Sequence, residues 1–172
     1  MKQTFFSLFF VIIALSGANA QPSILNESLS FKITTYNVEW FGCPNQGPSN
    51  EELQMNNVVK MILAMDSDVV ALQEIGNTVM DTLVRRLGSE WGGRIVPNKA
   101  DICGQNEAFL YRKSRVELVK AEAITQGVGT SYNWAYRFPI LYQVNLLVDG
   151  NAIPVSFVNM HPKAMSDATS YG

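Results

Sequence analysis

The spacing of apolar and polar positions divides the chain into a first half where strands alternate with helices and a second half of strands alone. Residues 31–38 alternate in polarity and are rich in β-branched and aromatic side chains, which predicts a strand. Gly, Pro and Asn then crowd residues 42–50, which is loop chemistry. Ser49 or Asn50 can cap a helix with Glu51 and Glu52 in its first turn, where the helix dipole favours acid. Leu53, Val58, Met61, Ile62 and Met65 follow at roughly helical spacing and predict an inward-packing face. Residues 68–74 form an apolar run with polar ends, the pattern of a strand buried on both faces. Strand, helix and strand make a βαβ unit, with its two strands parallel.

A second helix is predicted over residues 78–87, with Val79, Leu83 and Leu87 one turn apart and Gly88, Gly92 and Gly93 ending it. Beyond it, residues 107–111, 116–121, 140–148 and 153–159 read as strands. The last two flank Asp149-Gly150-Asn151, a strong hairpin signal. The pattern shows no internal repeat and no interdomain linker.

Composition changes this picture at the N-terminus. Lys2, an apolar run over residues 5–15 and Ala18-Asn19-Ala20 form the pattern of a signal peptide cleaved after Ala20. The run is shorter than the ~20 residues that span a bilayer; the alternative reading is a retained anchor helix. The expected organisation is therefore a signal peptide at 1–20 and one domain at 21–172, secreted or periplasmic, with no stable membrane association. Asn26-Glu27-Ser28 is a glycosylation sequon, relevant only in a eukaryotic secretory pathway. The net charge of −2 excludes a basic nucleic-acid-coating protein. It does not exclude a nuclease, because bound cations offset phosphate charge locally. Cys43 and Cys103, the only cysteines, are expected to pair as a disulfide in an oxidising compartment; two separate thiols without a role are the alternative.

Candidate chemistry lies at the ends of the predicted strands. Asn37 and Glu74 each sit near the C-terminal end of one, and parallel neighbours bring those ends to the edge where ligands bind in open α/β sheets. A carboxylate beside an amide suits a hard cation such as magnesium. The plainer reading is that Glu74 caps a turn and Asn37 makes a local bend. His161, the single histidine, is either functional or a satisfied strand-end residue.

The segments TYNVEWF (35–41), DVVALQE (68–74), QNEAFLYR (105–112), RFP (137–139) and FVNMHPKA (157–164) resemble, in order, signature segments of the endonuclease/exonuclease/phosphatase superfamily. The resemblance is to its secreted deoxyribonuclease-like branch. It implies an α/β (α+β) fold, namely the N-terminal half of a four-layer α/β/β/α two-sheet sandwich with mixed sheets. It implies metal-dependent phosphodiester hydrolysis with Mg2+, or alternatively Ca2+ or Mn2+. On this reading Glu74 binds metal, Asn37 helps to hold metal and phosphate, and His161 lies against the scissile phosphate. Glu107 pairs with His161 and biases it towards imidazolium, and Arg137 approaches the substrate backbone.

The substrate that the resemblance favours is DNA or RNA, with no protein partner expected. A phosphatase or phosphodiesterase on lipid or inositol phosphates is the second reading, and a non-catalytic secreted binding module on the same scaffold the third. Relatives carry further segments after the histidine, an Asp-x-Asn motif, another aspartate and an Asp-His pair, which do not occur in these 172 residues. The domain at 21–172 is accordingly expected to be incomplete, and the chain by itself inactive or nearly so.

Overall fold

The computed structural model describes residues 30–97, 103, 105–129 and 137–162. The signal peptide and its cleavage point and the Asn26 sequon lie outside the described residues. Nine elements follow one another: β1 (Ile33–Phe41), α1 (Glu51–Met65), β2 (Val69–Ile75), α2 (Met80–Leu87), β3 (Trp91–Ile95), β4 (Asn106–Arg112), β5 (Val116–Ala123), β6 (Ile140–Val148) and β7 (Asn151–Asn159). They form a four-stranded sheet in the order β1-β2-β4-β3 and a three-stranded sheet in the order β5-β6-β7. β1 and β2 run parallel, as the intervening helix requires. β4 runs antiparallel to both β2 and β3, so this sheet is mixed. The second sheet is antiparallel throughout, where mixed pairing was expected.

Two apolar layers hold these elements together. Val58 and Ile62 of α1 and Leu83 and Leu87 of α2 pack with Val38, Val70, Leu72, Trp91 and Leu110 on one face of the first sheet. On the other face, Val69 and Phe109 meet Ile140, Tyr142, Val144, Val155 and Phe157 of the second sheet. Phe109 stacks on Tyr142 with ring centroids 4.7 Å apart. The alternation of β2 thus feeds two cores, which is why its sequence is almost continuously apolar. The described residues form three layers, α/β/β, in keeping with the expected N-terminal half of a four-layer α/β/β/α sandwich.

Local signals account for the boundaries. Asn50 Oδ1 accepts the Leu53 N–H at 2.9 Å, the cap that the sequence offered. α1 ends where Asp66 turns into the left-handed region at φ 46°. Asp149 and Gly150, at φ 48° and 76°, make the two-residue turn joining β6 to β7.

Only β3 escaped the sequence pattern, because Gly92 and Gly93 were read as helix terminators. Both glycines lie inside the strand for steric reasons. A Cβ on Gly92 would stand 2.4 Å from Tyr111 Cζ, and one on Gly93 2.6 Å from Val84 Cγ2. One glycine admits a ring and the other admits α2.

Candidate active site

The site is built where two strands break their own alternation. In β1 the residues facing the helices are Tyr36 and Val38, then Phe41; in β2 they are Val70 and Leu72, then Ile75. The step changes from two residues to three in both strands. Pairing shifts at the same places, between Asn37 and Phe41 in the β1–β2 ladder and between Leu72 and Ile75 in the β2–β4 ladder. β1 thus carries two residues more than β2 across its shift, and β2 one more than β4 across its own, so each strand is bulged. Glu39, Trp40 and Glu74 adopt positive φ values of 46°, 52° and 63° there. For residues with a Cβ that conformation costs about 1–2 kcal/mol each, and such strain clusters at functional sites.

The bulge decides where Glu74 points. Strict alternation would send its side chain towards the helices with Leu72. The left-handed turn instead brings its carboxylate to Asn37, whose Nδ2 donates to Oε1 at 2.9 Å. The Trp40 N–H approaches Oε2 at 3.3 Å. His161, two residues beyond the end of β7, places Nε2 3.5 Å from Glu74 Oε1. Asn37 and Trp40 from the end of β1 and His161 from beyond the end of β7 therefore converge, from both sheets, on one partly exposed carboxylate. A cavity of about 350 Å³ opens beside Asn37 and Glu39, between β1 and the first turn of α1.

Behind them lies Arg137, which is buried and donates from Nη1 to Gln105 Oε1 at 2.7 Å. Burial lowers its pKa, against the pull of the Glu107 and Glu74 carboxylates; a guanidinium nevertheless stays charged. Burial also lowers the pKa of His161 below 6.5, and the Arg137 charge adds to this against the opposing effect of Glu74. Burial and Arg137 thus both work against a charged imidazole, and Glu74 works for it. The His161 Nδ1 and the Arg137 Nε are buried with no hydrogen-bond partner among the described residues.

The expected pairing of Glu107 with His161 is not shown among the described contacts. The carboxylate beside the imidazole is that of Glu74. Glu107 shares the inter-sheet face of β4 with Phe109, is fully buried, and acts electrostatically on Arg137. Its carbonyl accepts the Tyr142 hydroxyl at 3.3 Å. Two further residues were not assigned a role from sequence: Gln73 and Asn159, both buried and hydrogen-bonded to each other at 2.8 Å. A polar residue on an inward position of an otherwise apolar strand was the signal for Gln73.

The donor set suits a hard cation. Glu74 supplies a carboxylate open to solvent, and magnesium needs only one or two while keeping its waters. No group of three or more His, Cys, Asp or Glu converges among the described residues, so a closed shell of the zinc type is not formed by them. Asn37 presents Nδ2 to Glu74, while its Oδ1 accepts the Glu39 N–H at 3.0 Å. As placed, it orients the carboxylate, and its oxygen reaches a cation there only after the amide turns over. Cys43 is buried and Cys103 half-buried; the bridge between them is not shown. No helix among the described residues is long and apolar enough to cross a membrane.

The two-sheet arrangement matches solved structures. Humanized D. rerio TDP2 carrying 14 mutations superposes with a TM-score of 0.51 at 20% identity, over 71% of this chain and 46% of that one. The fold is that of the endonuclease/exonuclease/phosphatase proteins. The human Nocturnin catalytic domain with bound sulfate gives 0.49 at 17% identity, over 71% of this chain and 47% of that one. An endonuclease/exonuclease/phosphatase protein from Bacteroides vulgatus gives 0.47 at 17%, over 74% and 51%. The chain thus spans about half the length of these endonuclease/exonuclease/phosphatase-fold structures. By sequence, no family model and no curated protein matches it.

Proposed function

We propose that the chain carries one half of the active centre of a divalent-metal-dependent phosphodiester hydrolase, secreted or periplasmic and acting on DNA or RNA. The observation that supports this most is the convergence of Asn37, Glu74 and His161 at a strained double bulge, with a buried arginine behind them. A phosphodiester resists hydrolysis because its negative charge repels nucleophiles. A magnesium ion on Glu74 would supply Lewis-acid stabilisation of the phosphoryl oxygens. Asn37 and the Trp40 N–H fix the carboxylate in one orientation, so little reorganisation is needed on binding. His161 offers a hydrogen-bond donor to a phosphate oxygen. Arg137 contributes a fixed positive charge at the rear wall, where burial reduces screening. The preference for nucleic acid rests on the resemblance of Arg137 to a backbone-contacting arginine.

One carboxylate in the cluster makes only part of a metal shell, so residues 21–172 on their own should turn over weakly or not at all. The test is magnesium-dependent cleavage of plasmid DNA, RNA, sphingomyelin and inositol phosphates by the longest product of the gene and by the 172-residue chain. Cleavage of nucleic acid by the former, lost with EDTA, supports the proposal. Preference for a lipid or inositol phosphate would move the substrate class, and no hydrolysis of any of them by either protein would overturn the reading. The Cys43–Cys103 bridge and cleavage after Ala20 belong to the same proposal; non-reducing peptide mapping of the exported protein checks both.

A further inference from the structure

Gln73 lies fully buried in β2 immediately before Glu74, and Asn159 lies buried at the end of β7, two residues before His161. Their side chains meet across the space between the sheets, with Gln73 Nε2 donating to Asn159 Oδ1 at 2.8 Å. The same amide nitrogen is 3.0 Å from Thr35 Oγ1 on β1. From the other side, Asn159 Nδ2 donates to the carbonyls of Leu72 at 2.9 Å and Ala108 at 3.0 Å. Leu72 and Ala108 are the last residues paired between β2 and β4 before the ladder shifts. A side chain from the second sheet thus supplies donors to the first sheet at the point where its own pairing breaks.

We propose that Gln73 and Asn159 are positioning residues: their cross-sheet bond holds the bulge that turns Glu74 towards His161, and so sets the geometry of the site. The inference rests on the metal-site reading of Glu74 given above. The Asn159 bonds to the Leu72 and Ala108 carbonyls reinforce the same link, so this amide pair joins the two sheets through the interior at the bulge. A buried amide pair of this kind is directional, whereas the surrounding apolar contacts between Phe109, Tyr142 and Phe157 tolerate small slides. Without the bond, the carboxylate is free to return towards the helix side that strand alternation favours.

Because His161 is the only histidine, its imidazole resonances give an unambiguous probe in the full chain. Mn2+ is titrated into the wild type, Gln73→Met, Asn159→Ser and the control Thr35→Val, and paramagnetic broadening of those resonances is followed well below each melting temperature. Thr35→Val removes a hydroxyl from the same amide but leaves the cross-sheet bond. The expected result is broadening in the wild type and Thr35→Val at similar Mn2+ concentrations. Gln73→Met and Asn159→Ser should need about tenfold more, the usual cost of losing a residue that orients a metal ligand. Broadening at the wild-type concentration in both variants overturns the positioning role, as does failure of both to fold, which would make the bond a folding element only. Absence of broadening in the wild type is a different failure, because it removes the metal site itself.

Discussion

The two ends of the β1–β2 pair carry similar numbers of charged and polar side chains but arrange them in opposite ways. At the end near α1's C-terminus, charges are matched. Lys32 Nζ meets Asp66 at 2.9 Å, Arg112 meets the same carboxylate at 3.1 Å, and Arg115 meets Asp68 at 3.3 Å. The Lys32 N–H is satisfied by Asp68 as well, and the strands there keep regular pairing. At the other end the pairing slips, three residues take left-handed backbone conformations, and a buried imidazole nitrogen and guanidinium nitrogen have no partner among the described residues. Folding alone would favour the first arrangement at both ends. The strain and the unsatisfied polar nitrogens are concentrated where an external group could complete the set, as expected of a site.

The largest effect should come from removing the one carboxylate on which the strained end converges. Glu74→Gln is nearly isosteric, and loss of metal binding should lower phosphodiester cleavage by at least about 10²-fold, since metal polarisation is worth several kcal/mol. Asp66→Asn, at the matched end, should leave the rate unchanged. Full activity in Glu74→Gln would mean that both ends are structural and would erase the distinction.

A second contrast exchanges stability for activity. Asp68 accepts a backbone N–H and an arginine, so Asp68→Ala should lower stability by about 1 kcal/mol in urea denaturation, with cleavage unaffected. Asn37→Ala should do the reverse: it frees the Glu74 carboxylate, reduces cleavage about tenfold, and barely moves the urea midpoint. If both variants lost stability and neither lost rate, Asn37 would be an ordinary turn residue.

The same contrast explains what could be read from sequence. Regular pairing follows simple periodicities, so α1, β2 and the β6–β7 hairpin were legible nearly to the residue, and the strand ends bearing Asn37 and Glu74 were correctly placed on one edge. The orientation of Glu74 was not, because alternation assigns it to the helix side and only the change of spacing from Leu72 to Ile75 hints otherwise. Adjacency to a motif likewise says nothing about which face of β4 a residue occupies, so the burial of Glu107 between the sheets was not legible either. Gly92 and Gly93 misled because missing side chains look alike whether they end a helix or make room for Tyr111 and Val84.

The smallest effect sharpens the matched end through its pH dependence. The hydrogen bond from Lys32 is the main cause that lowers the Asp66 pKa below its ordinary 3.8, followed by the charges of Lys32 and Arg112. A carboxyl whose folded pKa is depressed contributes stability above its unfolded value and loses it as pH falls through the folded value. The difference in urea midpoint between the wild type and Asp66→Asn should therefore be constant from pH 7 down to about 5, then shrink below about pH 4 and vanish at lower pH. Because the carboxylate is largely exposed, the difference should be small and should fall further in high salt. A difference that persisted at low pH would show that Asp66 acts through its left-handed cap of α1 and not through its charge.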